Sequence, residues 1–80
     1  MAVTIVFLGK LADLAGAPDK EVTAPLDWNG LLGVLPGPLG EAVKGDKVRI
    51  AVNGELLADK TTLAAHNGDE IALLPPVSGG

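Results

Sequence analysis

The dipeptide Asn53-Gly54 is the sequence feature that most limits which folds this chain can adopt, because it predicts a tight turn beyond the middle of the sequence. A two-residue turn of type I′ has a positive φ at both central positions, and Asn followed by Gly accommodates this best. Apolar residues alternate along residues 47–52, which predicts a strand, and residues 55–57 predict the returning strand. A β-hairpin is therefore expected here.

The segments on either side of the hairpin predict further strands and two helices. Three segments are rich in β-branched or apolar residues and are bounded by turn residues, namely 3–8, 20–24 and 70–74. Residues 10–15 predict a short helix that ends at Gly16, a position typical of a C-terminal cap. A second helix is expected to begin at the N-cap Asp27 and to cover residues 28–35.

Two other segments are predicted to lack regular helix. Residues 36–40 contain two prolines and are interpreted as a turn. Their glycines do not indicate a phosphate-binding loop, because the Gly-Lys-Ser/Thr ending of such loops is missing. Residues 61–63 are expected to be extended, and Asn67-Gly68 predicts another turn.

This order of elements predicts a single α+β domain with one sheet and helices on one of its faces. Eighty residues suffice for one domain, and a hydrophobic content of 48% with 20% charged residues is enough for an ordered core. The domain is expected to cover residues 1–74, followed by an extended tail at 75–80. Strand alternation places Val3, Ile5, Phe7, Val48, Ile50, Val52, Ile71 and Leu73 against the helices.

The opposite face of the sheet is also predicted to be apolar. Its strands carry Val6, Leu8, Ala51, Ala72 and Leu74. A contiguous apolar set across neighbouring strands is unusual for a face in contact with water and usually marks a partner surface. We therefore expect Val6, Leu8 and Leu74 to contact a partner protein.

Composition excludes several function classes. The chain has no cysteine, one histidine (His66) and one serine (Ser78), which argues against a catalytic triad, a thiolate nucleophile or a histidine metal cluster. A net charge of −4 without a basic cluster argues against nucleic-acid binding. No signal peptide or membrane-length apolar run is found, so a cytoplasmic protein without membrane contact is expected.

The sequence ends Pro75-Pro76-Val77-Ser78-Gly79-Gly80, and this ending carries the one group with a plausible chemical role, the Gly80 carboxylate. Two prolines prevent a strand from continuing and favour an extended tail. The terminal glycines have no side chains, so they can enter a narrow channel in another protein. A carboxylate becomes an electrophile only when an activating enzyme converts it to a mixed anhydride.

Segments 3–9, 50–54 and 68–80, with the helix that ends at Gly16, resemble the small subunits of molybdopterin synthase, a family of ubiquitin-like sulfur carriers. The resemblance is most specific from residue 68 onward. It implies the β-grasp fold, in which a mixed sheet of about five strands curls round a helix.

The resemblance also implies a reaction sequence at Gly80. An E1-like adenylating enzyme would activate its carboxylate with ATP, and sulfur would replace AMP to give a thiocarboxylate. The tail would then enter the large synthase subunit and donate sulfur to a cyclic pterin phosphate precursor. The chain itself would bind no cofactor. The residues lining the channel would be Pro75, Pro76, Val77, Ser78 and Gly79.

Three alternatives share this fold. A thiamine-pathway sulfur carrier has the same Gly-Gly ending, although it usually lacks Pro-Pro-Val before it. A ubiquitin-like protein modifier would form an isopeptide bond through Gly80. A structural β-grasp module would make no use of the terminus.

Overall fold

The computed structural model describes residues 1–76, which form a five-stranded mixed sheet, three α-helices and a two-stranded sheet. The strands are β1 Ala2–Phe7, β2 Asp19–Thr23, β3 Leu26–Asp27, β4 Arg49–Val52, β5 Glu55–Leu56, β6 Ala64–Ala65 and β7 Glu70–Leu74. The helices are α1 Lys10–Ala15, α2 Trp28–Val34 and α3 Gly37–Lys44, and a 3₁₀ helix covers Lys60–Thr62.

The large sheet has the strand order β2-β1-β7-β4-β5. The central pair, β1 and β7, is parallel, and the three other pairs are antiparallel. The small sheet pairs β3 with β6. The first and last strands of the chain therefore lie side by side in the centre, so the end of β7 emerges next to the end of β1.

The core lies between one face of the large sheet and the helices. Burial alternates along β1 and β7, as expected for strands with one core-facing side. The predicted core face is confirmed, with Val52 partly buried against a buried cluster that includes Val3, Ile5, Phe7, Val48, Ile50, Ile71 and Leu73. The helices contribute Leu11, Leu31, Leu39 and Val43.

The turn and cap chemistry expected from the sequence is confirmed at three positions. Asn53 and Gly54 have φ values of 51° and 83°, as a type I′ turn requires. Gly16 ends α1 in the left-handed conformation, with φ 75°. The Asp27 carboxylate accepts a hydrogen bond of 2.7 Å from the Gly30 N–H and so caps α2.

The interpretation of residues 36–40 as a turn was wrong, because α3 begins at Gly37. Pro38 lies in the first turn of this helix, where a missing N–H breaks no intrahelical hydrogen bond. Leu39 and Val43 are four residues apart and both fully buried, so they fix one face of α3 to the core.

The prediction of an extended segment at 61–63 was wrong for Thr61 and Thr62, which belong to the 3₁₀ helix, whereas Leu63 follows the helix with φ −51° and ψ 129°. The Asp59 carboxylate accepts hydrogen bonds from the Thr61 N–H (3.0 Å) and hydroxyl (2.7 Å), which favours a 3₁₀ turn over an extended backbone.

Residues 1–76 contain no helix long and apolar enough to cross a membrane.

Candidate partner-binding face and tail base

An apolar row crosses four strands of the outer face, the side of the large sheet opposite the helices. The strand register places Val6 beside Ala72, Ala72 beside Ala51, and Ala51 beside Leu56. Leu56 is 51% exposed, whereas Ala51 is only 8% exposed. The row is therefore continuous, but its accessible apolar surface comes chiefly from the residues around Ala51.

A second group of side chains lies at the end of the outer face from which β7 leaves the sheet. Leu74 stands opposite Arg49 in the register, and Leu8 follows β1 with the same parity as Val6. The Leu8 N–H donates a hydrogen bond of 3.3 Å to the Leu73 carbonyl, so residue 8 continues alongside β7. Leu8 is 40% exposed. The three predicted contact residues Val6, Leu8 and Leu74 are thus brought together.

Carboxylates border this apolar surface. Asp19 lies beside Val6, and Glu21 and Glu70 lie on either side of Thr4, so all three share the outer face. These three side chains belong to exposed residues. Arg49, opposite Leu74, is also exposed on this face, so the rim is acidic along β2 and the start of β7 and basic near the tail. Such a surface fits a partner whose docking surface is apolar with basic residues opposite the carboxylates.

The base of the tail is held against the end of β1. Pro75 is half-buried and Pro76 is exposed. A Cβ placed on Gly9 would lie 3.1 Å from Cγ of Pro75, so the proline ring packs on the glycine backbone. Sequence reasoning assigned Gly9 only to the end of a strand. The other predicted tail residues, Val77, Ser78, Gly79 and Gly80, lie outside the described residues.

A hydrogen-bonded network lies at the opposite end of β7 from the tail. The Asp69 carboxylate accepts from the His66 N–H at 2.8 Å and from the Asn53 amide at 3.0 Å. These two hydrogen bonds lower the pKa of Asp69, the His66 contact having the larger effect. The network joins the two turns, and His66 is an exposed residue at the start of the second turn. Within residues 1–76 no cluster of His, Cys, Asp or Glu could hold a metal ion.

The fold and the face define the class of protein: a ubiquitin-like β-grasp protein with an apolar outer sheet face that reaches the base of its C-terminal tail. The sequence pattern of the ThiS family matches residues 5–80, and the chain belongs to this family. The predicted β-grasp fold and the resemblance to molybdopterin synthase small subunits are both confirmed.

Relatives and solved structures match over nearly their whole length. The molybdopterin synthase sulfur carrier subunit of Anopheles gambiae is 30% identical over 83 residues, covering 98% of this chain and 91% of the relative. The chain matches a complex of subunits 1 and 2 of the molybdopterin-converting factor from Helicobacter pylori with TM-score 0.70 and 30% identity. It matches SAMP1 from Haloferax volcanii with TM-score 0.74 and 26% identity. Each structural match covers 100% of this chain and 100% of the chain that it matches.

Proposed function

We propose that this chain is the sulfur carrier subunit of a molybdopterin synthase and that the carboxylate of Gly80 is its reacting group. The proposal rests chiefly on one observation: the apolar outer face continues to the residue from which the tail departs. A partner that covers Val6, Leu8 and Leu74 can therefore receive the tail in the same complex. The relative from Anopheles gambiae carries this function in its name.

Two steps would load the carrier. In an E1-like adenylating enzyme, the Gly80 carboxylate attacks the α-phosphorus of ATP, forming an acyl-adenylate and releasing pyrophosphate. Sulfide released by a sulfur donor then attacks the acyl carbon; a carbon–sulfur bond forms as the bond to AMP breaks, so that a thiocarboxylate and free AMP result. ATP belongs to the activating enzyme in this scheme, and the chain itself binds no cofactor. The use of ATP also supports the cytoplasmic location expected from the sequence.

The unloading step would take place in a large subunit. In the Helicobacter pylori complex, subunit 1 of the molybdopterin-converting factor is bound to subunit 2. By analogy, the large subunit binds this chain through the outer face and takes up Pro75 to Gly79, so that Gly80 delivers sulfur to the cyclic pterin phosphate precursor. The glycines at the end of the tail keep the channel free of side chains.

A second function, protein modification through the same Gly80, is favoured by the match to SAMP1. This protein of Haloferax volcanii is named small archaeal modifier protein 1. In that case the activated carboxylate would form an isopeptide bond with a lysine of another protein. Both functions need the same adenylation, so they differ only in the group that attacks afterwards.

Intact mass spectrometry of the chain purified from its own cells tests both functions. A carrier shows exchange of one terminal oxygen for sulfur, and the loaded chain converts the pterin precursor when mixed with its large subunit. A modifier shows protein-sized adducts joined through Gly80. If neither the sulfur-loaded chain nor an adduct forms in cells that make molybdopterin, the proposed function is wrong.

A further inference from the structure

Gly9 has a backbone conformation that side chains oppose. Its φ of 54° and ψ of −131° fall in a region populated almost only by glycine. Gly9 lies between β1 and α1, at the N-cap position of α1, and its carbonyl accepts a hydrogen bond of 3.1 Å from the Ala12 N–H. The chain therefore turns sharply at Gly9, immediately beside the end of β7.

The space that a side chain would occupy at Gly9 is filled by the tail. An added Cβ would lie 3.1 Å from Cγ and 4.0 Å from Cβ of Pro75, and among residues 1–76, apart from its two chain neighbours, it would meet no other heavy atom within 4 Å. At 3.1 Å such a contact is tighter than normal packing, so a side chain at position 9 would push the ring away by a few tenths of an ångström. Gly16 offers the contrast, because its φ is 75° and an added Cβ there meets nothing within 4 Å.

We propose that Gly9 is a positioning residue for sulfur transfer: the gap left by its missing side chain seats the ring of Pro75 and so fixes the direction in which the tail leaves the sheet. This inference rests on the proposed function, since it concerns delivery of the same tail. A tail with a fixed base explores fewer directions and loses less freedom when the partner channel binds it.

Seating on Gly9 gives the two prolines unequal roles. Both have a preset φ, and its loss in a Pro→Ala substitution is expected to weaken tail binding about two- to fivefold. Only Pro75 also contacts Gly9, and loss of a packed methylene group weakens binding about fourfold more. Pro75→Ala should therefore raise the dissociation constant for the large subunit about tenfold, and Pro76→Ala, the matched control, only two- to fivefold.

A double-mutant cycle tests whether Gly9 acts through Pro75. Gly9→Ala should weaken binding of the large subunit at least about fivefold in the natural chain, but less than about twofold in a Pro75→Ala background, where the ring is gone. Gly16→Ala, at a left-handed glycine (φ 75°, ψ 12°) on the other end of α1, controls for a general loss of stability and should leave binding unchanged in both backgrounds. Thermal unfolding of each variant separates altered positioning from loss of fold.

Equal effects of Pro75→Ala and Pro76→Ala, or an equal loss from Gly9→Ala in both backgrounds, would overturn the proposal. If Gly9→Ala does not fold, the comparison of the two prolines still decides. Nuclear Overhauser contacts between the Gly9 Hα protons and the Pro75 ring in the free chain test the seat itself. Their absence would refute it. If they are present but the chain purified from its own cells never carries sulfur, the seat stands and only the proposed function is contradicted.

Discussion

At the scale of single residues, Asp69 shows how one carboxylate stabilises two turns. Its oxygens accept hydrogen bonds from the His66 backbone and the Asn53 side chain, and the Asn53 amide oxygen accepts from the Glu70 N–H at 2.9 Å. Because the ionised carboxylate is the better acceptor, folding favours it and the pKa of Asp69 falls. The contribution to stability is present above the unfolded pKa of about 3.9 and is lost as pH falls through the lower folded pKa.

Asp69→Asn should therefore lower the stability of the fold near neutral pH, and this difference should shrink below about pH 4. Urea unfolding at the two pH values measures it. Glu55→Gln, at an exposed position in the neighbouring hairpin, is the control and should change little. A deficit of Asp69→Asn that is the same at both pH values would show that the charge of Asp69 is not what the network uses.

Local chemistry was predictable where the signal lies within a few residues. Asn53-Gly54 and Gly16 adopt the conformations that their sequence predicts, because the steric requirement acts on the residue itself. The Lys60 ammonium instead donates to the carbonyls of Gly45 and Val48, and it lies 5.9 Å from the centre of the Trp28 ring. Such contacts join residues that are distant in the sequence and adjacent only in the fold, so no local sequence pattern predicts them.

At the scale of elements, the five strands of the large sheet and helices α1 and α2 were predicted, whereas helix α3 and the small sheet of β3 and β6 were missed. The alternation of apolar residues along the strands reports directly on the two faces of a sheet, and the observed register places Val6 and Leu74 on the predicted outer face. Helix α3 was missed because Pro36 and Pro38 suggested a break. Pro36 in fact precedes the helix, and Pro38 lies in its first turn. Burial of Leu39 and Val43 then outweighs the poor helix propensity of its two glycines.

The outer face leads to a prediction about competition. Val6→Asp and Leu8→Asp each place a charge in the apolar surface, and each should weaken binding of both the adenylating enzyme and the large subunit at least about tenfold. Leu14→Asp is the matched control, because Leu14 is 46% exposed on α1, outside the outer face. Calorimetry measures each affinity, and circular dichroism checks the fold.

The two partners should also exclude each other, since they would share the outer face. A titration of the carrier with both partners together should give only binary complexes. A stable ternary complex, or a Leu14→Asp defect as large as that of Leu8→Asp, would contradict a shared surface on the sheet.

At the scale of the whole molecule, the fold separates what stabilises it from what it delivers. The Asn53–Asp69 network lies where β7 begins, and the tail departs where β7 ends. β7 itself is the middle strand, paired with both β1 and β4, so the tail is attached to a strand that is hydrogen-bonded along both edges. Changes to the terminal residues should therefore alter delivery without altering stability.

This separation gives the sharpest test of the proposed chemistry at Gly80. Deleting Gly80 draws the carboxylate back by one residue, about 3.3 Å at full extension, and misplacement by about 1 Å can already cost ~100-fold in rate. Adding one residue after Gly80 converts its carboxylate into a peptide bond. Both variants should keep the unfolding midpoint of the natural chain while single-turnover sulfur transfer falls at least about 100-fold. A chain extended before the exposed Met1 is the control and should transfer sulfur normally. Normal thiocarboxylation and pterin conversion by either tail variant would show that the reacting group is not the Gly80 carboxylate.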